Sequence, residues 1–376
     1  MSAPLQYAPL ESSRFGLRVA RGTLEQVDER ALARDILAQR LDVAIVRLPA
    51  NQAGAIQRLS RSGLHAVHAD TLVYYEAQLQ RLEPAALRNA DLAFSPAQEG
   101  DEAALEELIE HTFADYQSHY HANPRFPSES ILAGYRQWAR GYVGANDGRQ
   151  TWVARREGRI VAFACCRSET DGLTCEGVLY GVHPDHAGGG LYGDLIRHTQ
   201  AAFRSRGFQR MKVSTQIQNF AVQKVWAREG FTLIQAFDTF HINALLSCGE
   251  LAVDRELQFS NEDVVRFANA SGDRNAVHLE DAAARAAGFE QRISHGMLAG
   301  AELSRIFGME FPGAGTLYLR AEMVFLQPVY PGRNYRLQVR FPDGIPASGY
   351  APAVATIEAT DGSLCLISYH DLLKRN

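Results

Sequence analysis

Two short stretches of this chain hold residue types at spacings that can do chemistry. The first is Ser271-Gly272-Asp273-Arg274-Asn275-Ala276-Val277-His278, followed by Arg292-Ile293-Ser294-His295-Gly296-Met297-Leu298. Proton-transfer chemistry beside a carbonyl needs a base, an acid and a donor for the oxygen on which negative charge develops. Asp273 and His278 can supply the proton transfers from one turn, and the backbone N–H of Gly296, at the start of a helix, can hold the oxygen. Asn275 orients the loop or the pair, and Ser294 and Ser304 are candidates for lining a substrate pocket. His295 reads as a structural residue beside the active helix. The alternative is that Asp273 and His278 form a structural pair in a loop, or that the module only binds its ligand. No metal is expected, since His278 and His295 lack a third ligand at a recognisable spacing.

The second stretch is Val182-His183-Pro184-Asp185-His186-Ala187-Gly188-Gly189-Gly190-Leu191-Tyr192, lying between an apolar strand and a helix. Gly188, Gly189 and Gly190 let the backbone approach a ligand, and the free N–H groups where Leu191 and Tyr192 open the helix suit a pyrophosphate. Glycine-rich loops also make ordinary turns, so the position after a strand matters more than the glycine count. Glu176, on the preceding strand, and His183 are candidate bases; structural roles are the alternative for both.

The elements that must position these residues follow from periodicity. Residues 15–95 alternate strand-like and helix-like stretches, including 41–48, an amphipathic run at 52–62 and a strand near 71–75, and read as a scaffold or a wall of a substrate pocket. Helices follow from Asp101 and after Pro127. QTWVARR and IVAFACC flank a Glu157-Gly158-Arg159 turn, and CEGVLYGV runs into the glycine loop. Helix, strand, helix and strand then complete an α/β domain near residue 244. Residues 245–254 read as a connection. Ser260 caps a new helix, and the remainder is rich in strands.

With 376 residues and 46% hydrophobic content, the chain can bury more than one core. A net charge of -5 offers no field for nucleic acid or an anionic membrane. The five scattered cysteines read as reduced core residues, with adjacent Cys165 and Cys166 on opposite faces of a strand. The start of the sequence lacks a secretion-signal layout and no apolar run reaches membrane length, so a cytoplasmic, soluble protein is expected.

The glycine loop, Asn219 and Gly230-Phe231 resemble the GNAT acetyltransferases. Ser214-Thr215-Gln216, Ala221, Lys224, the helical region 135–143 and the N-terminal α/β half resemble the members that acylate dTDP-4-amino-4,6-dideoxyhexoses. The resemblance covers roughly residues 10–244 and implies acyl-CoA binding by the loop and by Asn219. This chain departs from the pattern at Ala187, where a basic residue or glutamine is usual, and at Tyr192, where a small one is. Trp226 stands where the family has a tyrosine acid; it reads as packing or as a wall beside the acyl chain.

The Asp273-to-Met297 segment, with Gly315–Leu319 and Phe325–Gly332, resembles the MaoC-like (R)-specific enoyl-CoA hydratases, Ala276 replacing a proline of their motif. That resemblance spans 255–372 and implies a single hotdog fold with its site at an interface, hence a homodimer. The expected architecture is α/β and α+β: an N-terminal α/β half (1–95), a GNAT domain (96–244), a linker (245–254) and a hotdog domain (255–376). The expected activity is hydration of a short trans-2-enoyl-CoA and transfer of the 3-hydroxyacyl group to a nucleotide-linked amino sugar for a surface glycan. Acyl-CoA would be a substrate, with no tightly bound cofactor. Two alternatives stay open: a hydratase of lipid or polyester metabolism fused to another N-acetyltransferase, and a non-catalytic acyl-CoA sensor.

Overall fold

The computed structural model describes residues 5–52, 54, 64–82, 85–144 and 147–375. Strand β1 (Gln6–Tyr7) leads through α1 (Pro9–Phe15) to β2 (Val19–Thr23), and α2 (Glu29–Ala38) crosses to β3 (Val43–Pro49), parallel to β2. The Asp28 carboxylate caps α2 by accepting from the N–H groups of Arg30 and Ala31, while Leu32 and Ile36 bury its inner face. Of the amphipathic run 52–62, all but Gln52 and Gly54 lies outside the described residues. Strand β4 (His65–Gln78) is fourteen residues long, well beyond the expected 71–75.

Next come β5 (Ala93–Pro96), α3 (Glu102–Phe113), α4 (Ser128–Arg140), the hairpin of β6 (Arg149–Arg156) and β7 (Arg159–Ser168), and β8 (Thr174–Val182). Helix α5 (Leu191–Ser205), β9 (Arg210–Gln216), α6 (Phe220–Arg228) and β10 (Thr232–Asn243) complete the front half. All ten strands form one sheet in the order β1-β2-β3-β10-β4-β9-β8-β7-β6-β5. The last strand, β10, inserts between β3 and β4, antiparallel to both, so the N-terminal elements and the glycine-loop elements share a single sheet. Cys165 and Cys166 bury into different apolar clusters, as the strand pleat requires.

The back half comprises β11 (Glu250–Leu257), α7 (Asn261–Ser271), α8 (Ala276–Leu279), α9 (Asp281–Ala286), α10 (Gly296–Met309), β12 (Thr316–Phe325), β13 (Tyr335–Phe341), β14 (Gly349–Ala359) and β15 (Leu364–Lys374). Its antiparallel sheet, ordered β11-β13-β14-β15-β12, wraps α10, whose Leu303, Ile306 and Phe307 meet Leu337, Val339 and Ala353 on the inner face. Alternation then places Val354, Ile367 and Tyr369 on the outer face, where they join Val46, Leu48 and Phe240 of the front half in one buried cluster.

Residues 250–254, expected in the connection, belong to β11, because Leu251, Val253 and Asp254 pair with β13. The stretch before them is pinned: the buried Asp42 carboxylate accepts from the N–H groups of Ser247 (2.7 Å) and Cys248 (2.9 Å) and from the Ser247 hydroxyl (2.9 Å). Gly249 turns the chain into β11 at φ +80°, and a Cβ there would lie 2.3 Å from the Phe341 carbonyl oxygen. The Tyr369 hydroxyl donates to the Ala244 carbonyl (3.1 Å) and Arg40 pairs with Glu358 (2.6 Å) across the same seam. Among the described residues no helix is long and apolar enough to cross a membrane.

Two candidate active sites

In the back half, α7 starts on a Ser260–Asp263 capping box and ends at Gly272, which turns the chain so that Asp273 follows at the surface. Asn275 then caps α8, its side chain accepting from the Val277 N–H, and α8 carries His278. The His278 Nδ1–H donates to the Ile293 carbonyl (2.9 Å), which leaves Nε2 with its lone pair, the state a general base needs. His295 packs its ring on His278, centroids 3.9 Å apart, and its Nε2–H donates to the Asp273 carbonyl (3.0 Å). It thereby holds both partners of the pair. One ligand-type atom each of Asp273, His278 and His295 lies within 4.8 Å of the others, so Asp273 is the third group that spacing alone did not reveal. The two rings are stacked within 30°, and in-plane lone pairs of stacked imidazoles do not converge as a tetrahedral ion requires; proton transfer fits the geometry better.

Gly296 opens α10, so its N–H has no intrahelical carbonyl and sits at the positive end of the helix. A Cβ there would come 2.7 Å from the Phe325 ring, so glycine also lets this apolar side chain close over the helix start. Ser294 is buried beside this turn, its N–H donating to the Val329 carbonyl (2.8 Å). Ser304 lies exposed two turns along α10 and Asn275 is exposed at its cap.

In the front half, the glycine loop sits where the sheet opens. Strands β8 and β9 pair in parallel only from Thr174 with Arg210 to Gly177 with Val213, although β8 continues to Val182 and β9 to Gln216. The strands part there, and a cavity of about 750 Å³ enters between them. Gly190 caps α5 at φ +85°, a conformation that favours glycine, and a Cβ on it would lie 2.8 Å from Arg88 Cδ. Arg88 thus brings a guanidinium stem to a loop that has Ala187 in place of a basic residue. Val182 closes β8 and Leu191 turns its side chain into the core, so its contribution to the loop is its backbone. Gly188 and Gly189 are exposed.

Asn219, Tyr192, Trp226 and Glu176 all line the cavity. Asn219 caps α6 and donates from Nδ2 to the Thr215 hydroxyl (3.1 Å). Glu176 is clasped by Arg167 at 2.5 Å; burial pushes its carboxyl up and the guanidinium pulls it back. His183 instead accepts from the Asp185 N–H (3.2 Å) and caps a short turn. Trp226, buried, donates its indole N–H to the Tyr192 hydroxyl (3.2 Å).

The N-terminal half is a wall of this cavity as well as a scaffold. It supplies Arg14, Arg21, Arg47 and Tyr74, which face Tyr116 and His119 from the link between α3 and α4 and Tyr135 from α4. Beneath them a buried polar set crosses the sheet. Arg21 donates to His119 Nε2 (3.3 Å), and His119 Nδ1 meets His241 Nε2 (2.9 Å); burial holds both imidazoles below their usual range, His241 at about 3. Asp70, opposite Thr239 on the neighbouring strand, is buried and raised by desolvation against the pull of Thr239 and Arg47. None of these residues has a local motif; only the closeness of polar residues on β4 and β10 to otherwise apolar neighbours could have signalled them.

Residues 249–345 match the family described as "MaoC like domain", and residues 105–231 match "Acetyltransferase (GNAT) family". The chain therefore carries a GNAT-type α/β domain followed by a MaoC-type hotdog domain, both of them enzyme domains. Among curated proteins it is similar to the mitochondrial 3-hydroxyacyl-[acyl-carrier-protein] dehydratase of Arabidopsis thaliana, with 36% identity over 27% of this chain and 60% of that protein. It is also similar to the 3-hydroxybutyryl-CoA dehydratase of Methylorubrum extorquens, 33% identical over 28% of this chain and 66% of that one. A third is the (R)-specific enoyl-CoA hydratase of Aeromonas caviae, 37% identical over 22% of this chain and 61% of that protein. The chain spans about three fifths to two thirds of the length of these relatives.

Proposed function

We propose that the protein is a bifunctional enzyme that hydrates a short trans-2-enoyl-CoA, crotonyl-CoA in the simplest case, to the (R)-3-hydroxyacyl-CoA. Its front half then transfers the 3-hydroxyacyl group to the amine of a nucleotide-linked amino sugar, a dTDP-4-amino-4,6-dideoxyhexose for a surface glycan. The observation that carries the reading is the presence in one chain of the Asp273/His278 pair, with its free Nε2, and of a cavity entering a parted β8–β9 ladder beside a glycine loop.

In hydration, His278 Nε2 and the Asp273 carboxylate take a proton from water and deliver one to the α-carbon, while the Gly296 N–H stabilises the enolate-like oxygen. The relatives' names cover both directions of this reaction, as expected of a readily reversible addition. In transfer, the loop N–H groups and Arg88 bind the CoA phosphates. Arg14, Arg21, Arg47 and Arg149 along the cavity suit an acceptor carrying a diphosphate, and Tyr116, Tyr135 and Trp138 offer ring faces to its base or sugar. The hotdog site is open at Asp273, and the neighbouring edge strand β12 exposes Leu317, Leu319 and Phe325, which supports its completion by a second copy in a homodimer. The reduced, free cysteines suit the cytoplasm.

The test is incubation with crotonyl-CoA and the dTDP-4-amino-4,6-dideoxyhexose, with product masses as the readout. A 3-hydroxybutyramide of the sugar is expected. Unhydrated crotonamide, or no amide, overturns the coupled scheme.

A further inference from the structure

When the amine attacks the thioester carbonyl, the C–N bond forms, the C–S bond breaks and sulfur leaves as a thiolate that must gain a proton. Of the seven tyrosines that line the cavity, three are tied to the parting ends of β8 and β9: Tyr116 through Gln216, Tyr180 on β8 itself and Tyr192 beside Tyr180. Tyr116 gives its proton to the Gln216 side-chain oxygen. Tyr180 meets the Thr199 hydroxyl at 3.0 Å, and because Thr199 donates to the carbonyls of Leu195 and Ile196, Tyr180 is the donor there. Tyr192 is placed differently. Its partner is the Trp226 indole N–H, which can only donate, so the Tyr192 oxygen accepts and its own proton is turned elsewhere. Trp226 is a fixed platform, 2% exposed and wedged between the rings of Tyr75 (5.5 Å) and Phe231 (6.4 Å).

From this we infer that Tyr192 is the acid that protonates the departing CoA sulfur in the transferase site, with Trp226 as the residue that positions it. The inference rests on the transferase reading above. Tyr192 Oη gives its proton to sulfur; the indole N–H, donating to the same oxygen, stabilises the phenolate formed. The proton shed by the amine nitrogen restores the phenol through water, so the step is balanced without a further reactant. Burial raises the Tyr192 phenol, and the Trp226 N–H pulls it back down by favouring the phenolate. Tyr192 and Trp226, two of the three positions that depart from the usual pattern, thus meet as one unit, 34 residues apart in sequence and in direct contact in the fold.

Two readouts on the full-length protein test this. Bound CoA is titrated by the ultraviolet absorbance of its thiolate, which needs no acceptor; loss of the donor in Tyr192→Phe should raise the thiol pKa on the enzyme by about one unit, a tenfold change in thiolate fraction. Transfer from 3-hydroxybutyryl-CoA to the amino sugar should fall roughly tenfold to a hundredfold in kcat with KM for the thioester unchanged, at or below the lower end of general-acid effects because a thiol leaves tolerably unprotonated. Trp226→Phe keeps the bulk and removes only the indole N–H, and should give the same changes at smaller size. Crotonyl-CoA hydration and the melting temperature serve as controls for folding. Unchanged thiol titration and kcat in Tyr192→Phe overturn the inference while leaving the transferase reading intact. Raised thiol pKa without transfer to the sugar by wild type overturns that reading and keeps the acid's placement. CoA binding that appears only in Tyr192→Gly overturns both, because Tyr192 then fills the channel.

Discussion

The two candidate sites differ in how far along the chain their parts lie. In the back half, Asp273, His278, His295 and Gly296 fall within one stretch, and each is set by a local device: a helix ending at Gly272, an Asn275 cap, a ring stack and a helix start. In the front half, Arg21, Arg47, Tyr116, Tyr192 and Trp226 come from strands and helices spread over most of the domain. The first site is a motif held by short-range hydrogen bonds; the second is a space left by the sheet. A substitution in the first should therefore act on one reaction, whereas a change to the sheet should act on the second site together with the fold.

The largest expected separation is catalytic. Asp273→Asn or His278→Ala should slow hydration of crotonyl-CoA about a thousandfold, ~4 kcal/mol of barrier, as followed by loss of the enoyl thioester absorbance. Transfer of supplied 3-hydroxybutyryl-CoA should be unaffected; loss of both activities would show that the two sites are not separable.

The seam between the halves tests whether they fold as one. Gly249→Ala forces a Cβ to within 2.3 Å of the Phe341 carbonyl at a positive φ, and should cost about 3 kcal/mol in thermal or denaturant unfolding. Asp42 and the Val46–Ile367 cluster couple the halves, so one cooperative transition should shift. Two transitions of which only the second moves would break that coupling.

Residue for residue, acid gives the smallest effect. His119 and His241 are buried neutral in the front half, His241 at about 3, and His370 is buried in the back half at about 4. With folded values below the unfolded 6.5, the unfolded chain binds more protons as pH drops, so their stabilising contribution is complete above 6.5 and is lost toward the folded values. His241 and His370 should each cost roughly 2 kcal/mol at pH 5, and His119 acts in the same direction. Because Asp42 and the Val46–Ile367 cluster couple the halves, fluorescence of Trp138, Trp152 and Trp226, all in the front half, should change together with the far-ultraviolet circular dichroism as pH falls. Replacing His241 by phenylalanine should move both curves to lower pH; curves that stay in place would sever the link to that histidine.

Much of this molecule was legible beforehand. The alternation of hydrophobic residues, the Ser260 cap, the glycine loop before Leu191 and the His295-Gly296 helix start are all local, and local physics places them where periodicity says. The reading went short where pairing extended an element, as in β4, whose outer residues gain strand conformation from β9 and β10 rather than from their own pattern. Residues 250–254 look like a connection in sequence because nothing in LAVD announces the β13 partner.

By itself the sequence determined two enzyme modules, the Asp273–His278 turn of the second and the glycine loop of the first, since each depends on residues near one another in the chain. Only the tertiary structure decided that β10 would bind the N-terminal strands into the same sheet, that Arg88 would lie against Gly190, and that Trp226 would meet Tyr192. Those contacts exist because the sheet closes over long loops. The energy that selects them comes from burial and hydrogen bonding between segments whose own sequences carry no record of one another.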